Sequence, residues 1–447
     1  MSRRFLITLW PFTGHLLPQV AIAIALRERG HEVAFFSGEA VRERIESAGF
    51  EMFGFDRVNE RRVFELVHAI DTGDRRTRPG GGRLLPALRE WLVDTIPDQV
   101  ADLEPVLDRF RPDVIATDLS MWAPTVVLWE TRRIPVALSS TFMGPLIPGP
   151  DAPVFGFGLR PPRSAAGRRA AAIATDLIDL GSRPMRRRVD EVRARYALPP
   201  LTESVNRHTG RLPLYLVGNI RELDYDRHDL PGSVHYVGDC IWYPDDAGES
   251  QWLDAIPTGR PWVHVTESSL ASGDPFLLRT AIDALAGAPV ELVITTAGRD
   301  PESLGLRATA DNVHIARWVR HDQLLPRCSA VVTVGGKATV LAAAGAGVPL
   351  VVVPTSWDKP DNARRVTEAG AGVRLAARRC TPATLRTAVR QVLYQPRYRA
   401  AAARLAELLG AAPGPGRAAE LLEELAADSA PATTDGAAPA TAQGGIG

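Results

Sequence analysis

Apolar residues fall along the chain in short blocks that alternate between two spacings. Residues 4–10 (RFLITLW) form a near-continuous apolar run of strand length. A turn at Pro11 to His15 follows, and residues 17–29 take helical spacing until Gly30 stops them. Residues 31–37 predict a second strand, 41–48 a helix and 50–55 a third strand. Residues 113–117 and 135–139 add two strands around a helix over about 121–132. This strand–helix–strand rhythm predicts a parallel, doubly wound sheet.

The rhythm restarts after an Asp-, Gly- and Pro-rich stretch at 245–260. Strands are predicted at 262–266, 291–295, 313–316, 331–334 and 350–353, with a helix at 275–286. The chain thus reads as two α/β domains: 1–240, a linker at 241–260, and 261–411, with a helix at 412–426 behind them. Ligands of such sheets bind beyond the carboxyl ends of the strands, so the cleft between the domains is the expected site. The tail from 427 is Ala, Thr, Pro and Gly with almost no large apolar residue, and is expected to be disordered.

A chain of 447 residues suits two domains. Lys+Arg and Asp+Glu are both 52, so the formal net charge is zero and a nucleic-acid partner is not expected. No apolar run is long enough to span a bilayer, so no membrane partner is expected. Three widely spaced cysteines (Cys240, Cys328 and Cys380) lack CxxC spacing, which fits a reduced, cytoplasmic protein. The amino-terminal arginines and apolar residues resemble a signal peptide, but Pro11, Gly14, His15, Pro18 and Gln19 interrupt the run.

Candidate chemistry clusters at strand ends. His15 follows the first strand and can act as a base near neutral pH; its plain alternative is a capping or buried histidine. Asp118 follows the 113–117 strand and could orient an imidazole or simply cap a helix. At residues 331–354 (VVTVGGKATVLAAAGAGVPLVVVP) a strand breaks at Gly335-Gly336 and becomes a helix, the shape of a phosphate cradle. Asp358 and Asn362, four apart, could share a helical face. Trp122, Phe142, Met143 and the Phe155-Gly156-Phe157 stretch are candidates for an apolar pocket. Arg186-Arg187-Arg188 reads as a solvated face, and Asp245-Asp246 as linker acids that need no metal.

PFTGHLLPQVAIAIALRERGHEVAFFS resembles the opening of the GT-B nucleotide-sugar glycosyltransferases of glycosyltransferase family 1, in particular the bacterial natural-product type. The resemblance continues through RPDVIATDLSMW, WVRHDQLLPRCSAVVTVGG and GVPLVVVPTSWDKPDNARRVTEAGAGVRL, to about residue 411. It implies two Rossmann-like domains facing a cleft and an inverting, metal-independent transfer. The co-substrate would be a UDP- or TDP-linked sugar, with no other cofactor, and the acceptor an apolar, polyketide-like natural product. It implies His15 as the base that deprotonates the acceptor and Asp118 as its partner. Trp122, Phe142 and Met143 would lie on the acceptor side. Around the donor it implies Ser268, Trp318, Val319, Gly335, Gly336, Thr339, Asp358 and Lys359. A homodimer is left open.

The departures from that family's pattern all lie on the donor side. The H-G-G-x-G-T pattern is here Val334-Gly335-Gly336-Lys337-Ala338-Thr339, D-Q is Asp358-Lys359, and V-T-x-G-T is Val265-Thr266-Glu267-Ser268-Ser269. Lys337 reads as a solvated surface lysine, whereas Lys359 occupies a ligand-facing position. Two other readings therefore stay open here. One is an enzyme on this scaffold with a decayed donor site, using a His15–Asp118 dyad for cyclisation, elimination or hydrolysis. The other is a non-catalytic partner protein.

Overall fold

The computed structural model describes residues 2–71, 81–244, 251–267 and 274–428. Two parallel sheets organise it. The first contains β1 (Arg4–Thr8), β2 (Glu32–Ser37), β3 (Glu51–Gly54), β4 (Val114–Asp118), β5 (Val136–Ser140), β6 (Leu214–Val217) and β7 (Val234–Tyr236), in the order β3-β2-β1-β4-β5-β6-β7. The second contains β8 (Trp262–Thr266), β9 (Glu291–Thr295), β10 (Val313–Ala316), β11 (Cys328–Thr333), β12 (Leu350–Val352) and β13 (Gly372–Arg374), in the order β10-β9-β8-β11-β12-β13. β6, β7 and β13, each three or four residues long, were not anticipated from spacing.

Both sheets are covered on both faces, which is why their central strands are apolar without alternation. In β1, Phe5 and Ile7 face one core and Leu6 the other. The order of each sheet reverses once, between β1 and β4 and between β8 and β11. Those reversals open a crevice at the strand carboxyl ends. His15 and Asp118 stand at the first crevice, the Gly-rich turn at the second.

Five helices position the site: α1 (Thr13–Glu28), α2 (Ala165–Gly181), α3 (Lys337–Gly345), α4 (Lys359–Glu368) and α5 (Pro415–Asp428). α1 starts four residues earlier than the apolar spacing predicts, so His15 lies inside its first turn and does not cap it. α5 crosses back to the first domain, where Ala418, Leu421 and Leu422 pack with Phe5 and Val20. Asp245-Asp246, Ser268-Ser269 and the tail beyond 428 lie outside the described residues. Among the described residues no helix is long and apolar enough to cross a membrane.

Candidate active site in the interdomain cleft

His15 and Asp118 meet. Asp118 Oδ2 lies 2.8 Å from His15 Nδ1 and also accepts the Trp10 N–H at 3.0 Å. Oδ1 accepts the Ser120 N–H at 2.6 Å, the Ser120 hydroxyl at 2.8 Å and the Met121 N–H at 3.1 Å. The carboxylate is fully buried. Burial alone would raise its pKa, but the charge and hydrogen bond of His15, with the Trp10 and Ser120 donors, carry the net shift downward. Asp118 thus stays ionised and fixes the imidazole by one nitrogen, leaving Nε2 toward the cavity that His15 lines. His15 lies inside α1 and caps nothing, whereas Asp118 does both, capping the following turn through Oδ1 and holding His15 through Oδ2.

The cavity holds about 500 Å³ and takes its walls from both domains. Phe12, Trp91, Trp122, Phe142 and Phe155 line the first-domain side. Met143 does not join them: it is fully buried in the second-domain core beside Ile220 and Leu223. Phe142 and Met143 lie in the bend that follows β5, which turns Phe142 to the cavity and Met143 to the core. Trp91 escaped the sequence reading because it belongs to no motif. Its ring meets Trp10, Phe12 and, across the cleft, Trp357 at 6.0 Å edge to face.

On the second-domain side, Gly336, Thr339, Trp318, Val319, Asp358 and Lys359 line the same cavity. The two turn glycines differ in role. Gly335 has φ +95°, and a Cβ there would lie 2.7 Å from Val352 Cγ1, so it is required by the backbone and lies outside the cavity wall. Gly336 has an ordinary φ of −62° and open space where a Cβ would stand, facing the cleft. Behind it, the first-turn N–H groups of α3 lack helical acceptors, which makes an anion-binding terminus. Val334 is buried in the core beneath the turn.

Asn362 ties this turn to the start of α4: its amide donates to Gly335 O at 2.9 Å and to Asp358 Oδ2 at 2.7 Å. Burial pushes the Asp358 carboxyl upward. Trp357, just before it, holds φ +58°, a conformation that a bulky residue adopts only under constraint. Lys359 is buried, and its amine donates to Ser356 Oγ at 3.3 Å.

Lys337 corrects the solvated-surface expectation. Its amine crosses the cleft and donates to the Ser140 carbonyl at the end of β5, at 3.0 Å. A Cβ on Gly218 would lie 3.3 Å from that amine, so the glycine leaves room for it. Burial lowers the Lys337 pKa, while Cys240, Asp239 and Asp358 favour its charge. Asp239, also on the cavity wall, is pushed up to about 6 by burial.

Two further residues lie within stretches that carry the resemblance but were not singled out. Glu267 accepts the Leu277 N–H at 3.0 Å and pairs with Arg299 at 3.0 Å. His321 lines the cavity, and burial lowers it to about 4, so it is neutral at physiological pH.

Residues 279–425 match the family described as erythromycin biosynthesis protein CIII-like, C-terminal domain. The whole chain is similar to 4'-demethylrebeccamycin synthase of Lentzea aerocolonigenes, 34% identical over 434 residues, covering 95% of this chain and 100% of that protein. In fold it resembles CalG4, the calicheamicin glycosyltransferase, with a TM-score of 0.73 at 19% identity, covering 96% of this chain and all of that one. It likewise resembles the spinosyn rhamnosyltransferase SpnG complexed with thymidine diphosphate, with a TM-score of 0.68 at 23% identity, covering 94% of this chain and all of that one.

Proposed function

The chain belongs to the bacterial natural-product glycosyltransferases of GT-B fold, and from that premise we propose that it transfers a sugar, with inversion and without a metal, from a UDP- or TDP-linked donor to a hydroxyl of a flat apolar aglycone. One observation carries the reading: the 2.8 Å His15–Asp118 pair opens into the cavity that Gly336, Thr339 and Asp358 also line.

In the proposed reaction His15 Nε2 takes the acceptor hydroxyl proton, and Asp118 stabilises the imidazolium that results. The acceptor oxygen attacks the anomeric carbon from the face opposite the diphosphate, so the carbon–oxygen bond to the phosphate breaks as the new one forms. The first-turn amides of α3 and the Lys337 and Lys359 amines meet the negative charge on the departing diphosphate. Asp358 accepts hydrogen bonds from sugar hydroxyls, and the backbone at Trp318 and Val319 reads the base. Phe12, Trp91, Trp122, Phe142 and Phe155 supply an aromatic surface suited to a planar acceptor.

The open approach to Gly336 and Thr339 supports transfer over donor-independent acid–base chemistry. The test is a product analysis with TDP-glucose and UDP-glucose against the aglycone of rebeccamycin and other planar aglycones. An α-linked donor should give a β-linked product, absent with His15→Ala. Turnover of an aglycone with no sugar donor present, and none with either donor, would overturn the reading.

A further inference from the structure

The second domain does more than face the acceptor wall; it holds part of that wall in place. Gly156 N–H donates to Asp361 Oδ2 at 2.6 Å, and Gly158 N–H donates to Asp361 Oδ1 at 2.8 Å. Each oxygen of one second-domain carboxylate is therefore occupied by a first-domain amide. Gly158 O in turn accepts from Arg374 Nη1 at 2.6 Å and Arg364 Nε at 3.2 Å.

The loop is shaped for this contact. Gly156 and Gly158 have φ of +88° and +59°, which side-chain-bearing residues rarely adopt. A Cβ on Gly158 would run into the Pro360 carbonyl, and one on Gly156 would lie 3.6 Å from the Trp357 carbonyl. The residue just before these glycines is Phe155, which lines the cavity and packs on Phe142 with ring centroids 5.0 Å apart. On the other side of the contact, Asp361 lies three residues after Asp358.

We propose that Asp361 is a positioning residue that sets the acceptor cavity: by gripping the Gly156 and Gly158 amides from the first turn of α4, it holds Phe155 in the cavity wall. The acceptor face of the first domain is then complete only when the second domain is docked against it. The same turn of α4 presents Asp358 to the cavity, so the end of the cleft expected to read the sugar and the wall expected to meet the aglycone share one support. This extends the proposed function, because it takes the cavity to be the acceptor site.

The experiment has an arm that does not depend on sugar transfer. Amide hydrogen exchange is measured on the full chain for wild type, Asp361→Ala and Gly158→Ala. The account expects exchange at Gly156 to rise at least about tenfold in both variants, since one lost charge-assisted bond is worth about that much. β1 and β4 should keep their protection. Unchanged exchange in folded Asp361→Ala would overturn the proposal. Binding of anilinonaphthalene sulfonate, an apolar probe, is then compared in Phe155→Ala, Asp361→Ala and the double variant. If Asp361 acts through Phe155, each single variant weakens the probe and the double is no weaker than Phe155→Ala. Additive losses would contradict that route. If exchange and probe binding behave as expected while no sugar transfer is found, the positioning role stands and the transferase reading fails alone.

Discussion

Asp118 and His15 lie 103 residues apart in sequence and 2.8 Å apart in space, and every other hydrogen bond of the carboxylate comes from a donor that holds it still. The strands that deliver them, β1 and β4, are neighbours only because the sheet reverses its order there. On the proposed mechanism, His15→Ala lowers kcat by about 10²–10⁴-fold, the usual worth of a positioned general base. Affinity for the nucleoside diphosphate should be unchanged, because the same mechanism assigns that ligand to the second-domain wall. Steady-state kinetics with a donor titration separates the two effects.

Asp118→Asn has a second readout. The folded-state pKa of Asp118 is depressed, so its ionisation stabilises the protein above the unfolded value and this contribution is lost as pH falls through the folded value. The variant should be less stable than wild type at pH 7, with the gap closing in acid. Urea unfolding at pH 7 and through a series descending below the ordinary value of 3.8 measures it.

Asp239 carries the opposite sign. Burial raises it to about 6, so ionising it costs stability as pH rises through the interval from the ordinary carboxylate range to about 6. Asp239→Asn should therefore melt higher than wild type at pH 7 and equal it at pH 4. A pair of thermal melts reads the difference directly.

Lys359 stands where the family pattern has a glutamine, and Lys337 fills that pattern's unspecified position. If they offset the altered donor motif, Lys337→Met weakens thymidine diphosphate binding by about tenfold or more, the worth of one hydrogen bond to a charged group. An unchanged affinity would return Lys337 to a structural tie between α3 and the Ser140 carbonyl.

Asp224 and Arg365 form a buried ion pair at 2.7 Å between the two domains, with the guanidinium 4.4 Å above the Tyr225 ring. Removing one partner leaves the other charge buried and unpaired. Arg365→Met should cost about 3–5 kcal/mol in urea unfolding.

How far the sequence reveals this arrangement varies with the distance over which each feature is decided. His15, Asp118 and Gly336 were legible because a strand end and its following turn are local. The paired sheets were legible for the same reason, from apolar blocks of strand length. Met143 was misassigned because its neighbour Phe142 takes the cavity-facing side, and only the packed backbone distinguishes them. Lys337 was misread because its acceptor, Ser140, lies 197 residues away in the other domain. The grip of Asp361 on Gly156 and Gly158 spans more than 200 residues and likewise leaves no local trace.

The central claim is that the second-domain turn still takes a nucleoside diphosphate despite Val334, Ala338 and Lys359. Calorimetric titration of the purified protein with thymidine, uridine and guanosine diphosphates tests it most directly, with Gly336→Val as the control. A Cβ at Gly336 meets no heavy atom within 4 Å, so a side chain there is expected to enter the cleft and leave the fold in place. The account predicts binding of one diphosphate at about micromolar Kd in wild type and a large loss in Gly336→Val. No binding of any of the three at about millimolar concentration would contradict it.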